Sequence, residues 1–240
     1  MIAILKRIYQ RQTFFPSILG LFVNPFFFAR DGLHRGIREL SPYLSGRLLD
    51  VGCGTKPYQQ LFDVEQYLGL DIDSVPTRKS GVADYLYDGH KFPLQNGEFD
   101  AVLCNQVLEH VFNPNDFLLE IHRVLIPGGK LLLTVPFVWD EHEQPFDYAR
   151  YSSYGLMSLL KKGGFNIIEH RKLGADVTVI FQLFNAYLYK IIQPLPRVIR
   201  GLLTVTVIAA VNVLGLVLRF LLPANPDLFL DQIVLAEKAK

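Results

Sequence analysis

The chain has 240 residues, which is enough for one well-packed domain with some residues left for tails or insertions. Its 24 basic and 23 acidic side chains give a formal net charge of +1, which offers no support for a nucleic-acid-binding protein. Cys53 and Cys104 lie far apart and form no CxxC or Cys/His spacing, which argues against a disulfide framework and a zinc site. Hydrophobic residues make up 50% of the chain, a high share for a soluble protein, and the excess lies at the two ends.

The N-terminal zone, residues 1–45, combines cations with a Phe-rich stretch at 13–29 that has no charge and contains two prolines. The cations are Lys6, Arg7 and Arg11. The zone begins like a secretory signal, but no small-residue cleavage site follows and the prolines interrupt any spanning helix. We therefore predict a separate apolar helical segment, either an interfacial helix or a lid.

The middle zone alternates short apolar runs with helix-like segments, the pattern of strand and helix units in a parallel sheet. Buried strands are predicted at Arg47–Val51, Gln66–Leu70, Phe99–Cys104 and Lys130–Val135. Helices are predicted at Asn115–Leu125, closed by Pro127-Gly128-Gly129, and at Ser153–Lys162, closed by Gly163-Gly164. Each strand ends in a polar or turn-forming residue, where a ligand can bind.

The C-terminal zone contains two further predicted strands, Phe165–Lys172 and Leu230–Glu237, separated by a long apolar excursion at about 176–225. Residues 201–218 carry no charge. Hydropathy alone would identify this stretch as a transmembrane helix, since about 20 apolar residues span a bilayer.

The strongest local motif is the apolar strand Leu48–Val51 running into Gly52-Cys53-Gly54. Glycines allow a close approach of the backbone to a ligand. A dinucleotide-binding turn starts in the same way, but Lys56 and Pro57 stand where its third glycine and helix should follow, which lowers the ranking of an NAD-dependent oxidoreductase. Asp71 ends the next strand about 20 residues later, where a carboxylate can accept both hydroxyls of a ribose.

These motifs continue in an ordered series: DVGCG, GLD, the Asp88 loop with Phe92-Pro93, FDAVLCNQVLEH and EIHRVLIPGGKLLLTVP. The series covers roughly residues 47–135 and resembles the class I S-adenosylmethionine-dependent methyltransferases, in the branch called methyltransferase type 11. The loop His142–Tyr151 is similar to one found in bacterial members. We accordingly expect a Rossmann-like α/β fold: seven strands, mostly parallel, with helices on both faces, the last strand antiparallel and an apolar helical insertion before it. The domain would comprise residues 46–240.

The resemblance implies a role for each matching residue. Asp50, Gly52 and Gly54 would hold the methionine part of S-adenosylmethionine, and Asp71 its ribose. Asp88 and Gly89 would bind the adenine, while Asn105 and Gln106 would close over the cofactor near the sulfonium.

Methyl transfer needs a base only if the acceptor must lose a proton. His142 is the candidate general base, because its loop follows a strand that ends beside the cofactor and imidazoles exchange protons at neutral pH. For Glu109 and His110 we favour structural roles. Residues 140–143 (Asp-Glu-His-Glu) could bind a metal, but acidic loops are more often solvated, so we predict no metal site.

For the excursion we predict helices lying in a membrane surface, with Lys190, Arg197, Arg200 and Arg219 near lipid headgroups. The strands around it would be neighbours, which excludes a single crossing, and a spanning hairpin would carry basic residues to the unusual side. The alternative is packing against the N-terminal Phe-rich segment or a homodimer interface.

We thus predict an S-adenosylmethionine-dependent methyltransferase, cytoplasmic and peripheral on the inner face of the membrane, with no nucleic-acid partner. Its acceptor would be small or lipid-linked, in envelope glycan or isoprenoid metabolism. The alternative is a non-catalytic membrane-associated scaffold that retains the fold.

Overall fold

The structure of the protein is a computed structural model that describes residues 9–239; Lys6 and Arg7 lie outside these residues. The strands are β1 (Arg47–Val51), β2 (Gln66–Ile72), β3 (Tyr85–Tyr87), β4 (Phe99–Asn105), β5 (Leu125–Pro136), β6 (Phe165–Leu173) and β7 (Asp231–Lys238). The helices are α1 (residues 9–14), α2 (Gly20–Val23), α3 (Phe27–Leu40), α4 (Val75–Ser80), α5 (Pro114–Val124), α6 (Ser153–Lys162), α7 (Thr178–Ile192), α8 (Arg197–Leu203) and α9 (Ala209–Leu221). Short 3-10 helices occupy Ser41–Tyr43, Gln59–Leu61 and Leu108–His110, and a π-helical segment, Thr204–Ile208, joins α8 to α9.

The strands form one seven-stranded sheet in the order β3-β2-β1-β4-β5-β7-β6. The pairs β1/β2, β1/β4, β2/β3 and β4/β5 are parallel, and the last strands are antiparallel. With helices around the sheet and an apolar helix before β7, this is the Rossmann-like arrangement that the sequence predicted. The predicted fold class is confirmed.

Most predicted strands agree with the structure to within two residues, but β5 differs. It begins at Leu125, directly after α5 ends at Val124, and it runs through Pro127-Gly128-Gly129 instead of starting at Lys130. The prediction that this Pro-Gly-Gly segment closes the helix is therefore wrong. The backbone here pairs with the start of β4, where Phe99 lies opposite Leu125, and a register shift follows before Ala101.

The contacts between residues divide the chain into two compact units. Among the described residues, the helical unit comprises 9–35, 138–140 and 172–231. The sheet unit comprises 36–137, 141–171 and 232–239.

The sheet unit has a continuous apolar core. Its centre is made of buried residues of β1, β4 and β5, which are fully enclosed because helices cover a parallel sheet. Leu118 and Ile121 of α5 and Leu156 and Leu160 of α6 pack in the same cluster. This packing holds the carboxyl ends of the strands in fixed positions.

Buried amide side chains fix the packing inside the helical unit. Gln182 of α7 has no exposed surface, and its Oε1 accepts hydrogen bonds from the backbone N–H groups of Phe28 (3.0 Å) and Ala29 (3.2 Å). These are donors of the first turn of α3, which find no partner within their own helix. The Nε2 of Gln182 donates to the carbonyl of Pro25 at 2.9 Å. A side chain from the apolar excursion thus caps a helix of the N-terminal segment.

Asn212 of α9 makes a similar connection. Its Nδ2 donates to the carbonyls of Leu21 (2.9 Å) and Asn24 (3.1 Å), while its Oδ1 accepts from Asn185 of α7 at 2.9 Å. Gly215 permits the close approach of this helix, since a Cβ there would lie 2.9 Å from the side chain of Phe181. The excursion therefore packs against the Phe-rich N-terminal segment, as the alternative interpretation of the sequence expected.

This packing covers only part of the longest apolar helix. Arg197–Leu221 forms a continuous run of 25 helical residues, and its apolar window of 18 residues has a mean hydropathy of 2.4 and is 28% buried. By length and composition it meets the requirement for crossing a bilayer, which is weak support taken alone.

Candidate active site

The sheet brings most of the predicted cofactor-binding residues to one edge. Val51 of β1 lies in register with Leu70 of β2 and with Cys104 of β4. Because these three strands are parallel neighbours, the segments that follow this row lie side by side at their carboxyl ends. The next residues along the three strands are Gly52, Asp71 and Asn105.

The two glycines after β1 have different surroundings. Gly52 donates its N–H to the carbonyl of Leu70 at 2.8 Å and has φ +71°, and a Cβ on it would lie 2.4 Å from the side chain of Val107. Gly54 has φ +51°, and among the described residues no atom lies within 4 Å of where its Cβ would be. Gly52 is therefore required by the fold, whereas Gly54 leaves open space in front of the backbone.

Asp71 joins this loop to the end of β2. Its Oδ2 accepts a hydrogen bond from the N–H of Gly54 at 2.9 Å, and its Oδ1 accepts from the N–H of Ile72 at 2.7 Å. A carboxylate has about four acceptor positions, so each oxygen retains one for a ligand. The half-exposed group is thus oriented by the backbone and suits a pair of adjacent hydroxyls, as on a ribose.

Asp88 and Gly89 form the next turn toward the β3 edge. Asp88 Oδ1 accepts from the N–H groups of His90 (2.9 Å) and Lys91 (3.4 Å), and the bond from His90 holds the pKa of this carboxyl below its ordinary value. Gly89 has φ +90°, and its Cβ position lies 3.3 Å from the Cδ1 of Ile72, a side chain that is nearly half exposed. An ionised acceptor beside an accessible apolar surface suits the amino group and face of an adenine.

Thr134 of β5 orients the residues Asn105 and Gln106 at the carboxyl end of β4. Its hydroxyl donates to Asn105 Oδ1 at 2.8 Å, and its carbonyl accepts from the N–H of Gln106 at 3.0 Å. Gln106 has φ +56°, an uncommon conformation for a residue other than glycine. No motif in the sequence indicates that Thr134 orients this pair.

Asp50 has a different environment from the other predicted residues. It is buried, and its Oδ2 accepts a hydrogen bond from the hydroxyl of Tyr67 at 2.7 Å. Burial raises the pKa of Asp50 to about 7, although the Tyr67 hydrogen bond acts in the opposite direction. The role of Asp50 in holding the methionine part of the cofactor stays a prediction. In the structure, this side chain has the Tyr67 hydroxyl as its partner inside the protein.

Lys56, which stands where a dinucleotide-binding turn has glycine, has a positional role. It adopts φ +52°, and its Nζ lies 2.5 Å from Asp84 Oδ2. The same oxygen accepts from the N–H of Gly69 at 2.7 Å. Partial burial raises the pKa of Asp84, but these hydrogen bonds outweigh it and hold the pKa below its ordinary value. The pair links the glycine loop to the region between β2 and β3.

His142 lies in a cluster that the sequence did not predict. Its backbone N–H donates to Asp147 Oδ2 at 3.0 Å, and its ring stands against that of His110 at a centroid distance of 4.8 Å. Two short hydrogen bonds from Arg150 lower the pKa of Asp147 to about 2. Burial lowers the pKa of His110, which favours its neutral form. Glu109 is fully buried beside it.

The two cysteines are reduced and buried. Burial raises the pKa of Cys53 to about 12 and that of Cys104 well above its ordinary value. Thiols in this state are weak nucleophiles, because the thiolate is the reactive form. The structure gives neither cysteine a chemical role.

A family profile described as a methyltransferase domain, type 11, matches residues 49–133. The match supports a class I S-adenosylmethionine-dependent methyltransferase of the type 11 branch. The match begins within β1 and ends within β5, so it includes the glycine loop, Asp71, Asp88 and the Asn105-Gln106 pair. In this methyltransferase family the methyl donor is S-adenosylmethionine, so the match supports the predicted class and cofactor over a dinucleotide-dependent enzyme.

Among curated relatives, the ubiquinone biosynthesis O-methyltransferase of Maricaulis maris is 31% identical over 128 residues, which cover 44% of this chain and 47% of the relative. The chain spans about half to two thirds of the length of the curated relatives it matches.

Solved structures agree with the fold. Phosphoethanolamine N-methyltransferase 2 of Haemonchus contortus, in complex with S-adenosylmethionine, has a TM-score of 0.55 at 17% identity, over 92% of this chain and 55% of that one. The [4+2]-cyclase SpnF also gives a TM-score of 0.55, at 23% identity, over 88% of this chain and 81% of that one. Since one neighbour is named a methyltransferase and the other a cyclase, the fold alone leaves the reaction open.

Proposed function

We propose that this protein transfers the methyl group of S-adenosylmethionine to a small or lipid-linked acceptor. The observation that carries the proposal is the pairing of Asp71 with the Gly54 loop, which combines an oriented carboxylate with open space beside the backbone. In this arrangement Asp71 binds the ribose, Asp88, Gly89 and Ile72 contact the adenine, and the glycine loop holds the methionine part. Asn105 and Gln106 close the site near the sulfonium.

The chemistry requires mainly positioning. When bound, S-adenosylmethionine supplies an already activated methyl group, and an in-line approach of the acceptor accounts for much of the rate. The rigid edge of the sheet, where Thr134 orients Asn105 and Gln106, provides a fixed frame for that approach.

Calorimetric titration of the full chain with S-adenosylmethionine, and separately with NAD, tests this proposal. We expect saturable binding of S-adenosylmethionine and none of NAD. Failure of the folded protein to bind S-adenosylmethionine would overturn the proposal and favour the non-catalytic scaffold. Binding of NAD alone would favour an oxidoreductase.

We propose further that the acceptor belongs to isoprenoid or envelope glycan metabolism and that the protein lies on the inner face of the membrane. The name of the Maricaulis relative assigns that protein to ubiquinone biosynthesis, which supports the isoprenoid alternative. Support from this chain comes from α7 to α9, which carry many exposed large apolar side chains. The most exposed of these are Val198 (84%), Phe220 (80%) and Leu221 (72%).

The geometry favours a helix lying in the surface over one that crosses it. β6 and β7, which flank the excursion, are neighbours in the sheet, so the chain returns to the side that it left. α7 has 15 residues and a length of about 22 Å, which is shorter than the hydrocarbon core of about 30 Å.

The cations contribute unequally to this surface. Lys190 pairs with Asp140 at 2.8 Å, and Arg219 pairs with Asp176 at 3.0 Å. These acids neutralise two of the four cations expected near headgroups. Arg197, which is exposed, and Arg200 are then the better candidates for contact with anionic lipid.

Co-sedimentation with vesicles that contain anionic lipid tests the membrane proposal. We expect the wild-type chain to sediment and the double variant Val198→Ser/Phe220→Ser to remain in solution. The exposed Tyr154→Ser, on α6 of the sheet unit, is a matched control that should behave as wild type. Sedimentation equilibrium without lipid tests the alternative of a homodimer interface. The membrane proposal is overturned if the wild type is a dimer that does not bind vesicles and the double variant is a monomer.

A further inference from the structure

Three potential metal ligands meet beside the proposed cofactor site. Glu109 and His110 belong to the 3-10 helix that follows β4, and His142 lies in the loop after β5. Their ligand atoms all lie within 4.8 Å of one another. We propose that Glu109, His110 and His142 bind one divalent transition-metal ion of the kind that accepts mixed nitrogen and oxygen ligands, such as Zn²⁺.

The ring of His110 is oriented as a metal ligand requires. Its Nδ1 lies 2.8 Å from the carbonyl oxygen of Phe146, which can only accept, so Nδ1 carries the proton and donates it. The lone pair is then on Nε2, which lies 3.9 Å from Glu109 Oε1. This nitrogen and the buried carboxylate therefore face the same small volume.

His142 is held by a carboxylate of its own. Asp147 Oδ2 accepts from the backbone N–H of His142 and lies 3.4 Å from the ring Nδ1. Arg150 fixes this carboxylate through bonds to both oxygens, at 2.6 and 2.7 Å, and its Nη2 also lies 3.4 Å from the ring Nδ1. When Nδ1 donates to Asp147, Nε2 keeps its lone pair for a metal ion, which is the usual arrangement where a carboxylate stands behind a histidine ligand. The contact with Arg150, which can only donate, belongs to the opposite tautomer and would be given up when the ion binds.

The donor set selects the class of ion. Two imidazole nitrogens and one carboxylate suit Zn²⁺ and other first-row transition ions, whereas Mg²⁺ and Ca²⁺ prefer oxygen ligands throughout. Ligand bonds of about 2.0–2.2 Å would draw the three donors somewhat closer than they are now. With three protein ligands, such an ion keeps coordination positions open to an oxygen atom of the acceptor.

This inference changes two predictions from the sequence, the absence of a metal and the role of His142 as a base. An imidazole whose lone pair is bound to a metal has none left to accept a proton. The metal site is independent of the proposed methyl transfer. Only the contact of the ion with an acceptor rests on that proposed function.

Titration of the full chain with Zn²⁺, after metal removal by dialysis against a chelator, tests the site. We expect one Zn²⁺ per chain and much weaker binding of Mg²⁺. His110→Gln, His142→Gln and Glu109→Gln should each lower the Zn²⁺ affinity by more than Asp147→Asn, for which loss of the orienting group costs about 10–100-fold. Glu143→Gln, an acid in the same loop as His142, is the matched control and should bind as wild type.

The proposal is overturned if the wild type shows no saturable Zn²⁺ binding, or if His110→Gln and His142→Gln bind as tightly as it does. A loss confined to Glu143→Gln would also overturn it, because the acidic loop would then hold the ion. Titration of the same samples with S-adenosylmethionine checks that each variant is folded. It also separates the two proposals. A protein that binds S-adenosylmethionine but not Zn²⁺ contradicts the metal site alone, and one that binds Zn²⁺ but not S-adenosylmethionine contradicts the proposed methyl transfer alone.

Discussion

Asp71 accepts a hydrogen bond from the backbone N–H of Gly54 at 2.9 Å, so the carboxylate at the end of β2 holds the loop at the end of β1. One residue therefore positions the backbone beside the methionine part and would bind the ribose itself. Substitutions in this loop can therefore change both the affinity for S-adenosylmethionine and the stability of the fold, and the two effects can be measured separately.

Asp71→Asn should lower the affinity for S-adenosylmethionine about 10–100-fold, because a hydrogen bond to a charged group contributes about 1.5–3 kcal/mol. Calorimetry measures the loss. Asp73→Asn is the matched control, since Asp73 is an exposed acid two residues further on that pairs with Arg78. An equal loss in both variants would contradict a specific contact between Asp71 and the ribose.

The two glycines of the loop should respond differently to alanine. Both have positive φ, which costs an alanine about 1–2 kcal/mol. Gly52→Ala also meets Val107 and should lose about 1–3 kcal/mol more in stability through overpacking. Gly54→Ala should lose only the stability that its positive φ costs, but bind S-adenosylmethionine at least 10-fold more weakly, since its methyl group would enter the cofactor's space. Urea unfolding and calorimetry measure the two effects, and wild-type affinity in Gly54→Ala would place the cofactor elsewhere.

Asp50 should give the protein a distinctive pH dependence. Its pKa is about 7 in the folded state, above the ordinary 3.8, so the folded protein holds a proton that the unfolded chain has lost. Stability then falls as pH rises through this window, by on the order of 2 kcal/mol between pH 5 and pH 8. Asp50→Asn should remove this part of the pH dependence while its amide still accepts from Tyr67. Parallel urea titrations at both pH values test this, and identical pH slopes for the two proteins would contradict it.

Asn212→Leu should destabilise the helical unit by about 1–3 kcal/mol, because the carbonyls of Leu21 and Asn24 lose their donor while remaining buried. Thr206→Val is the control, since its exposed hydroxyl bonds only within its own helix, to the carbonyl of Leu202. Circular dichroism during urea unfolding measures both. Equal stability of Asn212→Leu and the wild type would mean that water satisfies these carbonyls.

The strands could be predicted because each is a short apolar run with turn residues after it, as at Arg47–Val51. β3 and α4 were not predicted, since three residues of strand and one helical segment around Pro76 are too short for a period to emerge. The predicted cofactor residues gather because the ends of parallel strands meet by topology. The contact of His110 with His142, and that of Lys56 with Asp84, depends on how loops from different strands pack, which local patterns do not encode.

The position of β7 between β5 and β6 has a consequence for biosynthesis. Residues 231–238 leave the ribosome after residues 178–221, so the long apolar helices emerge while the place beside β5 is still empty. During that interval β6 has no neighbour through which to join the sheet, and the apolar helices precede the completed fold. A nascent chain halted before Asp231 would thus present its most hydrophobic segment without a finished domain, and this is the stage at which a chaperone or a membrane surface would matter most.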